Sequence, residues 1–403
     1  MTTKSASTTL SLSLMTIIFF IWGMLTCLND LLAPHLKEYF SLNYAQTMLI
    51  QFCFFLTYAV MSLPMAKVVE WIGYKYGVVV GLLIAALGCL LFVPAAVMHL
   101  YPFFLFGLFV LATGIVCLQV AANTYVIVLG EPRYAPSRLT FAQAMNAVGT
   151  TIVPLVFGRM IVSGTVIEPY TIIAICLVLF SFALCFYPFP KITVPHSSID
   201  EPYSDSIWRN SYLLLGALAI FVYVGAEVST GTVLVNYLNL HEIANLPRPD
   251  AASYLAFFWG GALVGRFIGS AVLRIIKPQW VIAFNCLVNV GLIGISMWFA
   301  GYVAMWAILA MGLFNSIMFP TIFAIALDAV PRLKNQASGL LCTAIAGGAI
   351  IPELQGLLAD RIGLHYSFVL LIFCYLYIFY FVMIKPNKKV KGLTGKNTYV
   401  TSS

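Results

Sequence analysis

Apolar stretches of about 20 residues recur along the whole chain, each followed by a short polar or Gly/Pro-marked break. A run of that length crosses a hydrocarbon core of roughly 30 Å as a helix, so the pattern predicts membrane spans rather than a soluble core. Runs and breaks place twelve spans near residues 12–34, 46–69, 77–97, 101–129, 137–163, 170–188, 211–239, 251–275, 279–298, 302–328, 335–359 and 364–384. The longest polar connection, Pro190 to Asn210, divides them six and six. The expected organisation is a first bundle over 1–190, a linker over 191–210, a second bundle over 211–388 and a basic tail over 389–403.

The halves carry a repeat. Thr151-Ile-Val-Pro154-Leu-Val-Phe-Gly158 matches Ala349-Ile-Ile-Pro352-Glu-Leu-Gln-Gly356 at an offset of 198 residues, which also relates Gly149 to Gly347 and Gly114 to Gly312. Within one residue it sets Asp30 opposite Glu227 and Pro132 opposite Pro331. Six spans separate the copies, an even number, so the repeat is parallel and its axis runs along the membrane normal. Transporters that rock two bundles around a midplane site are built this way.

Composition narrows the class. With 62% apolar and 9% charged residues, nothing remains for a soluble domain. The first span is too long for a signal peptide, lacks a small-residue cleavage site and contains Asn29 and Asp30, so it is read as a retained helix. The nine cysteines all fall within spans and form no CxxC pair, which makes them buried small residues. The five histidines sit in or beside expected loops, so no intramembrane metal site is suggested.

Charge sets the expected orientation. Sixteen Lys and Arg lie on the side shared by both termini, only Lys37, Arg159, Arg248 and Arg361 on the other, and Arg266 within a span. Positive residues are retained inside, which predicts a multi-pass cell (inner) membrane protein with both termini cytoplasmic. The net charge of +7 is mostly this topology plus the tail from Lys385. That tail reads as a solvated end, with attraction to anionic membrane lipid as the alternative, and not as a nucleic-acid site.

Polar residues inside the spans carry the chemistry. A charge at bilayer depth costs about 2.5–3.5 kcal/mol on insertion scales, so an acid there faces a cavity or a partner. Asp30 in span 1 and Glu227 in span 7 are the candidate cation-coupling carboxylates; structural acids satisfied by neighbouring helices are the alternative. In span 4, Gln119 and Asn123 are four residues apart. In span 5, Gln143, Asn146 and Thr150 fall at i, i+3 and i+7, so each set shares one helix face. Such amides either bond adjacent helices or line a wet cavity and bind hydroxyls; four on two adjacent spans favour the cavity. Asn29, Asn236, Asn289, Asn315 and Gln355 are thinner candidates for substrate contact, and Trp259 and Tyr223 are candidates for stacking, with core packing as the rival for each aromatic. Glu70 and Lys75, in Ala66-Lys-Val-Val-Glu-Trp-Ile-Gly73-Tyr-Lys75, suggest a gate between spans 2 and 3. Gly356-Leu-Leu-Ala-Asp360-Arg-Ile-Gly363 echoes that pattern at the far end of span 11. Arg266 in span 8 needs an acidic partner, for which Asp328 at the end of span 10 is the expectation.

The segments Trp22–Leu36, Gln119–Gly130, Gly225–Leu238, Asn315–Ala326 and Gly347–Gly356 resemble the fucose and glucose/galactose sugar permeases of the major facilitator superfamily. The resemblance runs over essentially all twelve spans. It implies an all-α integral membrane fold of two pseudo-symmetric six-helix bundles, and an alternating-access symporter of sugar with H+ or Na+ that acts as a monomer without a cofactor. Asp30 falls where the fucose:proton type has its first-helix acid. That type has a glutamate where this chain has Gln119, and a glutamine carries no proton, which weakens a fucose assignment. The L-Q-V-A-A-N form together with Glu227 looks more like the glucose, galactose and N-acetylglucosamine branch. Glu353, after Pro352, stands where an apolar residue is expected, and nothing in the sequence explains it.

Two other functions compete with this one. An exporter of lipophilic compounds would line its cavity with aromatics, against which the amide stripes argue. A membrane-embedded enzyme would need an intramembrane histidine, a paired-acid metal motif, or a Ser or Cys with a base at suitable spacing, and the spans offer none of these.

Overall fold

A computed structural model describes residues 2–40, 42, 44–162, 167–192, 206–384 and 401–402; several side chains within these ranges, including those of 29–35 and 154–162, fall outside the description. The crossing elements are α1 (Thr2–Tyr39), α2 (Tyr44–Val97), α3 (Tyr101–Val128), α4 (Ala135–Val162) and α5 (Ile167–Phe186), then α6 (Ser211–Asn239), α7 (Arg248–Ile275) and α8 (Pro278–Trp298). They continue as α9 (Gly301–Asn315), α10 (Met318–Asp328), α11 (Lys334–Thr343), α12 (Gly347–Ile362), α13 (Leu364–Ser367) and α14 (Val369–Met383).

Ten helical segments among the described residues are long and apolar enough to cross a membrane. One of them, Leu49–Val97, supplies two crossings, because Gly73 breaks it at φ 80° and ψ 167°. That backbone conformation suits glycine, which has no Cβ to clash. Gly77 then packs on Val69 across the turn, so the connection expected over 70–76 is a one-residue corner between two legs of α2. Gly363, which caps α12 at φ 86° and ψ 151°, repeats the geometry, and each glycine follows an acid by three residues. The remaining crossing is α4, whose Arg138, Gln143, Asn146 and Thr150 dilute its apolar character but which packs between α1 and α7. The helices therefore make twelve crossings.

Three crossings of the second half are broken. Span 10 is α9 plus α10, and its break follows from Pro320, which has no N–H for the Ser316 carbonyl four residues back and crowds it. Span 11 passes from α11 to α12 through a 3-10 turn at Ala344–Ala346, and span 12 is α13 plus α14.

Helices α1–α5 pack on one another, as do α6–α14. Both bundles use the same contact. A Cβ on Gly149 would strike the Phe20 carbonyl oxygen, and one on Gly347 the Phe221 carbonyl oxygen. Helices α1 and α4, like α6 and α12, thus meet backbone to backbone. This match corrects the register of the repeat. Phe20 and Phe221 are three residues further apart than Gly149 and Gly347, so Glu227 corresponds to Thr26 rather than to Asp30. The two acids are offset by about one helical turn.

Within the first bundle, Arg138 gathers the end of α3. Its Nε and Nη2 donate to the Val126 and Ile127 carbonyls at 3.2 and 2.9 Å, and Nη1 donates to the Glu131 carbonyl at 2.7 Å. The last carbonyls of a helix have no partner in their own helix, so this arginine supplies the missing donors. Of the expected linker, residues 193–205 lie outside the described residues, as do 385–400 of the tail region.

Candidate functional site

The bundles meet at the side that carries the corner at Gly73 and the α3–α4 connection, called here the basic side. Ser137 Oγ donates to the Ser270 carbonyl at 2.6 Å, and Ser338 Oγ to the Val120 carbonyl at 3.1 Å. Gln336 Nε2 reaches Glu70 Oε2 at 3.4 Å, and a Cβ on Gly339 would press on Ala66. Deeper in, Arg266 Nη1 of α7 donates to the Gln143 carbonyl of α4 at 3.1 Å. Every inter-bundle hydrogen bond given for the described residues falls in the basic-side portion of the helices. The two halves are joined there.

Glu70 stands by the first turn of α11, where a carboxylate interacts favourably with the free N–H groups of a helix N-terminus. Lys75 does something else: its Nζ donates at 2.7 Å to the Cys185 carbonyl at the end of α5, inside its own bundle. Asp328 ends α10, with Lys334 as the charge acting on it. Arg266 acts on Glu227 instead, so the partner expected at Asp328 is corrected to Glu227. The reason is placement: residue 328 closes span 10 at the basic side, whereas Arg266 is set well inside α7.

Buried amides fall into two groups. The first keeps polar atoms unbonded, and one of its members, Gln143, lies at the seam. Gln119, Asn123 and Gln143 are 2%, 0% and 5% exposed, yet Gln119 Oε1, both amide atoms of Asn123 and Gln143 Nε2 have no hydrogen-bond partner. Glu227 Oε1 and Arg266 Nε are likewise buried and unpartnered. A buried polar atom without a partner costs about 1–3 kcal/mol, and here such atoms come from α3, α4, α6 and α7. Helical spacing puts Gln119 and Asn123 on one face of α3, and the Arg266 bond ties Gln143 to the C-terminal bundle.

The second group is bonded largely within the protein, although Asn315 Nδ2 and Asn289 Oδ1 are buried without a partner. Asn315 Oδ1 accepts from Asn289 Nδ2 at 2.9 Å and from the Tyr375 hydroxyl at 2.8 Å, while the Asn315 carbonyl, freed by the helix break, accepts from Tyr223 at 2.9 Å. Gln355 accepts from Ser229 through Oε1 and donates through Nε2 to Ser367 at 3.2 Å. Asn146 donates to the Phe19 carbonyl at 3.0 Å, bonding α4 to α1. These residues join helices within a bundle.

Other candidates are more scattered. Asn236 is exposed near the end of α6 opposite the basic side. Trp259 is 44% exposed and its ring covers Gly231 of α6. The side chains of Asn29 and Asp30 lie outside the described residues, although their backbone continues α1. Tyr170, near the start of α5, donates to the Leu28 carbonyl at 3.1 Å, which sets Asp30, two residues on, nearer the side opposite the basic one than the midplane. Glu353 is exposed on α12, and nothing in the structure explains it. A groove between α7 and α9 is lined by Phe257, Gly260, Val264, Trp306 and Leu313 and offers no side chain that reads a hydroxyl. Sequence reasoning missed the Tyr223 and Tyr375 bonds to Asn315, since no local signal marks partners 92 and 60 residues away.

Two helical bundles joined at one end, with unspent polar atoms buried where they meet, define a membrane carrier. The chain belongs to the Major Facilitator Superfamily, whose model matches residues 14–352. It is 48% identical over 386 residues to the glucose/galactose transporter of Brucella abortus, covering 93% of each chain. It is 30% identical over 392 residues to the L-fucose-proton symporter of Escherichia coli, covering 89% of each. Its fold matches a crystal structure of the Major Facilitator Superfamily transporter FucP in the outward conformation, with a TM-score of 0.83, 29% identity, and coverage of 93% of this chain and 98% of that one.

Proposed function

We propose that the protein imports a hexose, of the glucose, galactose or N-acetylglucosamine type rather than fucose, by symport with H+ or Na+ through alternating access. The observation that carries this reading is the set of unspent amide atoms on Gln119, Asn123 and Gln143 at the seam. Each amide end is a donor or an acceptor, and a sugar hydroxyl is both, so ring hydroxyls complete these groups without introducing charge. The kinship with a glucose/galactose transporter over 93% of both chains supports the substrate class.

Asp30 is the coupling acid in this reading. Its position along α1 is nearer the side opposite the basic one. The basic side is cytoplasmic, as the Lys and Arg distribution requires, and the protein acts as a monomer in the inner membrane. One cation moving inward through 100 mV supplies about 2.3 kcal/mol, a sugar gradient of roughly fiftyfold. Coupling requires that the charge of Asp30 be neutralised before the loaded carrier turns, since an uncompensated carboxylate in a closed cavity is costly.

The test is uptake into proteoliposomes of labelled glucose, galactose, N-acetylglucosamine and fucose, with imposed proton and Na+ gradients. Wild type accumulates one of the first three under one of the gradients. Asp30→Asn loses accumulation and keeps sugar counterflow. Gradient-driven uptake unchanged in Asp30→Asn would sink the coupling role.

A further inference from the structure

Glu227 differs from Asp30 in having a fixed cation beside it. Arg266 is the charge that acts on it, and Tyr223 stands next to it on the same helix, one turn away. The two charges are not closed into a direct bond through every available atom. Glu227 Oε1 and Arg266 Nε are both buried, and neither has a partner. Arg266 spends Nη1 on the opposite bundle, at the carbonyl of Gln143, and Gln143 Nε2 is itself unspent. An acceptor, a guanidinium N–H and an amide N–H are thus left free on three linked residues from both bundles.

We infer that Glu227, Arg266 and Gln143 form a hydroxyl-reading clamp across the seam, in which one sugar hydroxyl donates to Glu227 Oε1 and accepts from Arg266 Nε or Gln143 Nε2. The inference rests on the hexose reading above. It assigns Glu227 to sugar specificity and leaves cation coupling to Asp30. A carboxylate oxygen with a guanidinium beside it offers a hydroxyl both an acceptor and, on the same contact, a donor. The clamp also gives the sugar a reason to act on both halves at once: the arginine that bonds the N-terminal bundle is the arginine that the hydroxyl contacts. Tyr223 positions the carboxylate while its hydroxyl remains bonded to the Asn315 carbonyl.

The experiment is a cycle between protein variants and deoxy sugars. Half-saturation for counterflow is measured in proteoliposomes with the transported hexose and its monodeoxy analogues, for wild type, Glu227→Gln and Arg266→Lys. Wild type loses at least about tenfold in affinity on removal of one particular hydroxyl, because a site built to bond a hydroxyl is left with unpaired buried groups. Glu227→Gln and Arg266→Lys each weaken the parent sugar by a similar factor and become indifferent to that same hydroxyl. In Glu227→Gln, accumulation under the imposed cation gradient falls only as far as counterflow falls. Full wild-type discrimination in Glu227→Gln overturns the clamp, as does loss of accumulation with unchanged counterflow affinity, which would make Glu227 a coupling acid. If Glu227→Gln is not recovered from membranes, Glu227→Asp, which keeps the charge and shortens its reach, runs the same cycle with the same two overturning results. Failure of wild type to take up any hexose overturns the sugar reading, and the clamp with it.

Discussion

Asn123 and Gln355 are both amides and both 0% exposed, yet they stand in opposite chemical conditions. Gln355 has each amide end bonded, to Ser229 of α6 and Ser367 of α13. Asn123 has neither end bonded. The Asn315 knot, which holds α6, α8 and α14 together, lies between these extremes: Asn315 Oδ1 is bonded twice, while Asn315 Nδ2 and Asn289 Oδ1 are buried without a partner. Burial and residue type are shared by Asn123 and Gln355, so what separates these two is hydrogen-bonding capacity left over after the bundle has assembled. A protein tolerates that cost where a ligand later removes it.

Substitutions on the two sides of this contrast should act on different observables. The largest effect is expected for Asn315→Leu, which takes the acceptor from Asn289 and Tyr375 at once; stability in detergent falls by about 3 kcal/mol or more, read as the midpoint of thermal unfolding. Gln143→Ala leaves that midpoint within about 1 kcal/mol of wild type and weakens sugar binding roughly tenfold, measured by counterflow. Asn146→Ala falls between them. It loses one amide–carbonyl bond between α4 and α1, about 1 kcal/mol, with a smaller change in sugar affinity than Gln143→Ala. The smallest effect belongs to Glu70→Gln. It removes the charge beside the α11 N-terminus, worth about 0.5 kcal/mol, and that loss shifts the balance away from the state joined on the basic side, read by labelling of single cysteines at the opposite end. A large stability loss in Gln143→Ala, or none in Asn315→Leu, would erase the distinction.

Much of this was legible in the sequence. Apolar run length located the helices because each span must satisfy its own backbone in lipid, which ties helix length to membrane thickness. The match of Gly149 to Gly347 exposed the duplication because a close backbone approach requires glycine at both positions. Other features were not readable. The corner at Gly73 consumes one residue where a loop was expected, since a single positive-φ glycine reverses the chain. The pairing of Asp30 with Glu227 failed by about a turn because a constant offset ignores insertions between the first and fifth spans of each half. Chain position alone points Arg266 to Asp328, whereas the acid on which Arg266 acts is Glu227 of α6. Above all, the sequence presents Asn123, Asn315 and Gln355 as equivalent buried amides. Whether each is spent depends on hydroxyls and amides brought in from other helices.

The most direct test compares thermal unfolding of wild type, Asn123→Ala and Gln355→Ala with and without saturating glucose or galactose. Ligand that binds only the folded state raises its stability in proportion to occupancy, so the shift reports binding separately from the baseline. Asn123→Ala should keep the baseline and lose most of the sugar-induced rise, while Gln355→Ala should lose about 2–4 kcal/mol of baseline stability and keep the rise. A full sugar-induced rise in Asn123→Ala, or its loss in Gln355→Ala at an unchanged baseline, would contradict the claim that unspent amides at the seam are the substrate site.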